Sequence, residues 1–304
     1  MQTTNLLQVR TADLKGAETF LTTADQFAGS DIISMDERKK SMQKYVRGLE
    51  DAQHETGDGL FAYFLEKGGA VRADPLPLQL AFQSLFSRWC AFMIHRFSGS
   101  GFHGDLAKLY GEIQDSEVQA VTGRWRAITF AHIKSLDSQT FSDHILDMAI
   151  GLLCLCGWSL NSPRSKKAIL SMQQMVKALE RLWMQLKSAT KEGITTADID
   201  VFVIDFGRSY DPARMEDSYV DALSRSGTGS PVHSPTPDSR VLCTVGMGLQ
   251  KTVMRRSEGI SPERQVDVLL KPKVALESVL KTIAGEIVDS SPTTILAGAF
   301  ERKS

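Results

Sequence analysis

The stretch from Ser162 to Gly193 constrains the fold most. Ile169, Met172, Val176, Leu179, Trp183 and Leu186 are apolar at alternating spacings of three and four. That pattern puts them on one stripe of an α-helix. Ser162 and Pro163 form an N-cap and first-turn pair, and Gly193 ends the run. Ala168, Met175 and Leu182 widen the stripe, so the helix is expected to bury against two neighbours rather than lie in one groove. A chain organised round such a helix packs helix on helix.

The rest of the first two thirds agrees. Ser34 and Glu37 have capping-box spacing ahead of a polar helix. Thr56-Gly-Asp-Gly59 breaks that helix, and Leu60 to Leu65 gives a short apolar one. Pro75 and Pro77 open a strongly apolar helix with Leu78, Phe82, Leu85, Phe86, Trp89, Cys90 and Met93 on one broad face. Further helices are predicted over about 104–114, 116–135 and 139–158. In the second of these, Val118, Val121, Trp125, Ile128 and His132 keep helical spacing and are expected to face the core, His132 as a core histidine.

The texture then changes. Asp200 to Phe206 is rich in β-branched and aromatic residues and reads as a strand. Asp211-Pro212 is expected to start a short helix reaching about Leu223. Residues 223–239 hold Gly, Ser and Pro with almost no large apolar side chain, the composition of a disordered linker. Val241 to Met254 and Gln265 to Val274 are predicted as two strands that pair with the one at 200–206. Pro272 suits an edge or a strand end. Leu276 to Ile287 gives a last amphipathic helix. The expected fold class is mainly α: a multi-helix, bundle-like domain over 1–222, the linker, a small β-rich C-terminal appendage over 240–288 and a frayed tail over 289–304.

Charge narrows the partners. The 304 residues carry 35 Lys+Arg and 36 Asp+Glu. No global positive field steers a polyanion, so nucleic acid is not an expected partner. The balance is an average over unlike parts. Residues 164–191 hold seven basic side chains and one acid, Glu180, whereas residues 198–221 hold seven acids and two bases. The acidic segment is expected to lie near the basic helix and shield it. The four cysteines form no C-x-x-C pair and read as buried thiols in a reducing compartment, cytoplasm or nucleus. The opening residues show no charged stretch followed by an apolar core, so no secretory leader is expected. The longest apolar run, Met148 to Trp158, is about half the length that spans a bilayer and reads as a core helix.

Several motifs invite chemistry. Gly99-Ser-Gly101-Phe-His-Gly104 has the form of a phosphate-cradling glycine loop, but the segment before it is helical, which suits a helix–helix turn. Asp205-Phe-Gly207 resembles a kinase metal-binding tripeptide, yet no catalytic-loop base precedes it. Asp198 and Asp200 form a D-x-D that could hold a divalent cation on one strand face. The six histidines show no metal-ligand spacing. Arg124-Trp125-Arg126 reads as a basic rim round a buried Trp. No cofactor is expected.

The basic helix offers more. Lys166, Lys167, Lys177, Arg181, Trp183 and Lys187 are the candidate partner-binding residues. A basic amphipathic helix with anchors thirteen residues apart, as Leu170 and Trp183 are, suits a calmodulin-type or acidic partner. Ser230, Ser234 and Thr236 each precede proline in the linker and are candidate phosphorylation sites.

Gln119-Ala-Val-Thr-Gly-Arg-Trp-Arg126, with Leu269-Leu-Lys-Pro-Lys-Val274, resembles segments of uncharacterised fungal proteins with the same helical-then-tail layout. That resemblance implies no activity and no site residues. The expected function is therefore an intracellular helical interaction or scaffold protein without catalysis. The alternatives are a nucleotide- or metal-dependent enzyme using Gly99–Gly104 or Asp198, Asp200 and Asp205, and a target of an acidic partner through 163–191.

Overall fold

The computed structural model describes residues 35–67, 76–97, 102–133, 141–219, 238–255 and 263–283. Among them are nine α-helices and two small sheets. In chain order the helices are α1 (Met35–Lys44), α2 (Val46–Thr56), α3 (Asp58–Lys67), α4 (Leu76–His95), α5 (His103–Ser116), α6 (Gln119–Ile133), α7 (Phe141–Leu155), α8 (Pro163–Lys187) and α9 (Glu277–Ile283). A π-helical turn, Ser188–Glu192, continues α8. The strands are β1 (Asp198–Phe202), β2 (Glu216–Asp217), β3 (Val241–Gly246), β4 (Gly248–Arg255), β5 (Glu263–Leu270) and β6 (Lys273–Leu276).

α4 is the central element, because its residues are apolar on almost every side. All seven of its expected core positions, Leu78 through Met93, are buried. α2, α7 and α8 pack against it, and β3 lies across it. α7 adds Ile145, Met148, Leu152 and Leu153, and α8 adds Ala168, Met172, Val176 and Trp183. Trp89 and Trp183 meet edge to face, ring centres 6.5 Å apart. Leu242, Cys243, Ala275 and Val279 lie in the same buried cluster as α4.

The strands form two three-stranded sheets, ordered β1-β4-β5 and β2-β6-β3. Pairing of the 198–202 strand with the C-terminal strands is as expected, but three details differ. First, each long predicted strand is two. The chain crosses from one sheet to the other at Met247 and again at Lys271-Pro272. Gly248 permits this crossing, since a Cβ there would lie 2.6 Å from Pro272 and 2.7 Å from Phe202. Second, β1 stops at Phe202. Beyond it the Thr244 hydroxyl replaces ladder bonds, accepting from Ile204 N–H and donating to Ile204 C=O, both at 2.9 Å. Third, Asp211 begins a turn rather than a helix. Its C=O accepts from Arg214 and Met215, its carboxylate accepts from Ala213 N–H, and β2 follows at once.

The largest correction is on α6. Val118, Val121 and Ile128 are about half exposed, and His132 is exposed rather than a core residue. The buried side is Thr122, Gly123, Arg126 and Phe130. Gly123 sits against the backbone of Thr195, whose carbonyl a Cβ would strike. Closeness to that backbone and to buried charge sets the orientation of this helix, not its apolar stripe.

Candidate functional site

α8 separates cleanly into two faces. Ser162 caps it, its hydroxyl accepting from Ser165 N–H at 3.1 Å. From that start Met172, Val176 and Trp183 turn inward, with Trp183 only 7% exposed. Lys166, Lys167, Lys177 and Arg181 turn outward. No acidic side chain among the described residues lies within ion-pair distance of any of these four. Leu170 and Met184, 59% and 48% exposed, stand on the same outer side. Lys187, the sixth candidate, is buried over the rings of Phe130 and Trp183, at 5.2 and 5.5 Å. The candidate set therefore divides: four exposed cations form a surface, while Trp183 and Lys187 belong to the core. Trp183, Met172 and Val176 leave the core only if α8 unfolds from α4, so an enveloping groove cannot take the whole helix in the native fold.

Among its described residues the acidic segment meets the basic stretch only at its end, where Asp200 pairs with Lys191, and leaves those four cations uncovered. Its strand carboxylates turn instead to cations beneath it. Asp198 pairs with Arg126, which is 1% exposed. Asp198 also accepts from the Tyr110 hydroxyl at 2.7 Å and from Gln114. Arg126 donates to the carbonyls of Lys191 and Ala197, both at 3.2 Å, to that of Ile194, and to Tyr110 Oη at 3.3 Å. Burial pushes the Tyr110 phenol above its ordinary range, which keeps its proton available for Asp198.

Two residues along β1, Asp200 pairs with Lys191 from the π-turn. Burial would raise the Asp200 pKa, but the ammonium of Lys191 outweighs it and holds the carboxyl below the usual range. His95 closes the cluster. Its Nε2 lies 2.6 Å from Val201 C=O and its Nδ1 3.9 Å from Asp200. Burial, assisted by the charge of Lys191, lowers the His95 pKa despite Asp200. The D-x-D thus braces β1 to α6, α4 and the π-turn. Among the described residues no three His, Cys, Asp or Glu groups converge as metal ligands.

Arg126 is the residue that sequence reading misplaced. The pattern Thr122, Gly123, Arg126, Phe130 is itself helical, but three of those four are not large apolar residues, so a hydrophobicity stripe does not reveal it. Trp125 is part-exposed and stacks on Tyr110, ring centres 5.7 Å apart, so the Trp is not the buried member of Arg124-Trp125-Arg126.

The other motifs lie apart from both features. Gly99 and Gly101 fall outside the described residues, and His103 and Gly104 open α5. Asp205 is exposed beside Arg88 at 3.7 Å. Ser230, Ser234 and Thr236 lie outside the described residues. All four cysteines are buried thiols. A cavity of about 100 Å³, lined by Trp89, Phe92 and Met148 together with Asp51, His54, Glu55 and His144, opens beside α4. It is smaller than the roughly 300–1,000 Å³ of ordinary small-molecule sites. Among the described residues no helix is long and apolar enough to cross a membrane.

No family model matches the chain, and no curated protein or solved structure matches it.

Proposed function

We propose that the chain is a non-catalytic helical interaction or scaffold protein whose docking surface is the outer face of α8, and that its partner is an acidic amphipathic protein segment. One observation carries this reading. Lys166, Lys167, Lys177 and Arg181 stand exposed on one helix, flanked by Leu170 and Met184. On such a face Leu170 and Met184 supply apolar anchors and the four cations a polar rim, the make-up of a protein interface. Rigidity supports the reading too: α8 is fixed from behind by Met172, Val176 and Trp183, so its backbone is already ordered before docking. The D-x-D supports it by being used internally, in ion pairs with Arg126 and Lys191. The buried thiols suit a reducing compartment, cytoplasm or nucleus.

The test is a fluorescence-anisotropy titration with a labelled helical peptide of Glu and Leu at heptad spacing. Binding is expected that weakens as salt is raised and falls at least tenfold in Lys177→Glu/Arg181→Glu. Arg47→Glu, which is exposed on α2, should leave it unchanged. No binding, or equal binding by the α8 variant, would overturn the assignment.

A further inference from the structure

α5 is a helix of fourteen residues in which none is buried. Tyr110 and Gln114 tie it to Asp198, yet a helix of that length ordinarily gains most of its stability by burying an apolar stripe. α5 and its N-cap have such a stripe: Phe102, Leu106, Leu109 and Ile113 recur at spacings of four, three and four, with Leu106 and Ile113 half-buried. Phe102 is 62% exposed and Leu109 43%. α6, which packs beside it, and the residue before it add Val118, Val121 and Ile128. The α5–α6 hairpin therefore holds five of the eleven exposed large apolar side chains among the described residues. Asp105, Glu112, Asp115 and Glu117 are exposed around them, against Lys108 and Arg124.

This is the complement of the α8 face: apolar anchors with an acidic surround, against apolar anchors with a basic one. We infer that the α8 face of one copy of the chain receives the α5–α6 hairpin of a second copy. The inference rests on the reading of α8 as a docking face and names its occupant. Lengths agree. Leu170 and Met184 are fourteen residues apart, about 21 Å of helix, which is also about the length of α5. Pairing α5 with α5 of another copy would set like charges together, so the two surfaces must differ. Each copy uses both, and such a head-to-tail contact closes into a ring or grows as a chain.

Sedimentation of the full chain tests this. Mass above the monomer is expected, rising with concentration and falling with salt. Lys177→Glu/Arg181→Glu damages only the α8 face, and Phe102→Asp/Leu109→Asp damages only the hairpin. All four positions are exposed, and unchanged circular dichroism and Tm will verify the fold. Each variant alone should associate at least tenfold more weakly. Mixed one to one they should form a dimer and nothing larger, because one intact hairpin then meets one intact α8 face. A monomeric wild type, or folded variants whose mixture stays monomeric, would overturn the proposal. So would an assembly that persists in the α8 variant, which would mark hairpin-to-hairpin contact. If the acidic peptide still binds α8 while the chain is monomeric, the docking face stands and only its occupant is wrong.

Discussion

Arg126→Met removes the cation beneath β1 and keeps much of the side-chain volume. The lost partners are Asp198, Tyr110 Oη and the carbonyls of Lys191, Ile194 and Ala197. Asp198 is left as a buried carboxylate supported only by Tyr110 and the Gln114 and Gln119 amides. Breaking a buried pair from one side costs about 3–5 kcal/mol. Domain stabilities are about 5–15 kcal/mol, so the change removes a large share. With a urea slope of about 2 kcal/mol/M, the unfolding midpoint should drop by about 1.5–2.5 M. Arg124→Met, two residues away and exposed, should stay within about 0.5 kcal/mol of wild type. Asp198→Leu should be costly for the same reason, and the two changes combined should cost at least about 1 kcal/mol less than their sum. A midpoint shift under about 0.5 M for Arg126→Met, or additive costs for the pair, would refute the view that this ion pair braces the sheet.

Other outcomes follow from the same structure. Gly123→Ala pushes a Cβ into the Thr195 carbonyl and should destabilise by about 1–3 kcal/mol in thermal or urea unfolding. Burial pushes the Cys154 thiol up to about 12 and raises that of Cys243 as well, and Cys90 and Cys156 are buried too, so iodoacetamide at pH 8 should spare all four cysteines until denaturant is added. Because the His95 pKa is lowered from 6.5, the unfolded chain binds the extra proton first. Stability should be full above pH 6.5 and decline as pH falls through the folded-state value. The ring is half exposed, so the slope is shallow, and His95→Gln should flatten it in a pH series of unfolding midpoints.

The sequence showed those parts of the fold in which burial follows apolar periodicity. The seams of α4 and α8 are such parts, and both Leu78–Met93 and Met172–Trp183 are core. It failed where something else chose the buried side. α6 turns its apolar stripe outward because Gly123 admits a backbone and Arg126 must reach Asp198, a partner seventy-two residues away that no local pattern reveals. The strand breaks at Met247 and Pro272 come from sheet crossing, a tertiary event that a continuous run of β-formers conceals. The four exposed cations of α8 were legible as a charge excess, but their separation from Trp183 and Lys187 needed the packing of α4, which meets Trp183, and of α6, whose Phe130 lies under Lys187. The outward stripe of α5–α6 was hidden for the reason that misled the reading of α6: apolar periodicity signals a face to be covered, not what covers it.

The most direct measurement sets binding against stability on the two sides of α8. Anisotropy with the acidic peptide and urea unfolding are recorded for Lys177→Glu/Arg181→Glu and for Val176→Ala. The account predicts that the charge variant loses at least tenfold in affinity with its midpoint unchanged. It predicts that Val176→Ala, at a position 2% exposed, loses about 1–3 kcal/mol of stability while the folded fraction binds as wild type does. Equal affinity in the charge variant, or loss of affinity only when the inner seam is cut, would contradict it.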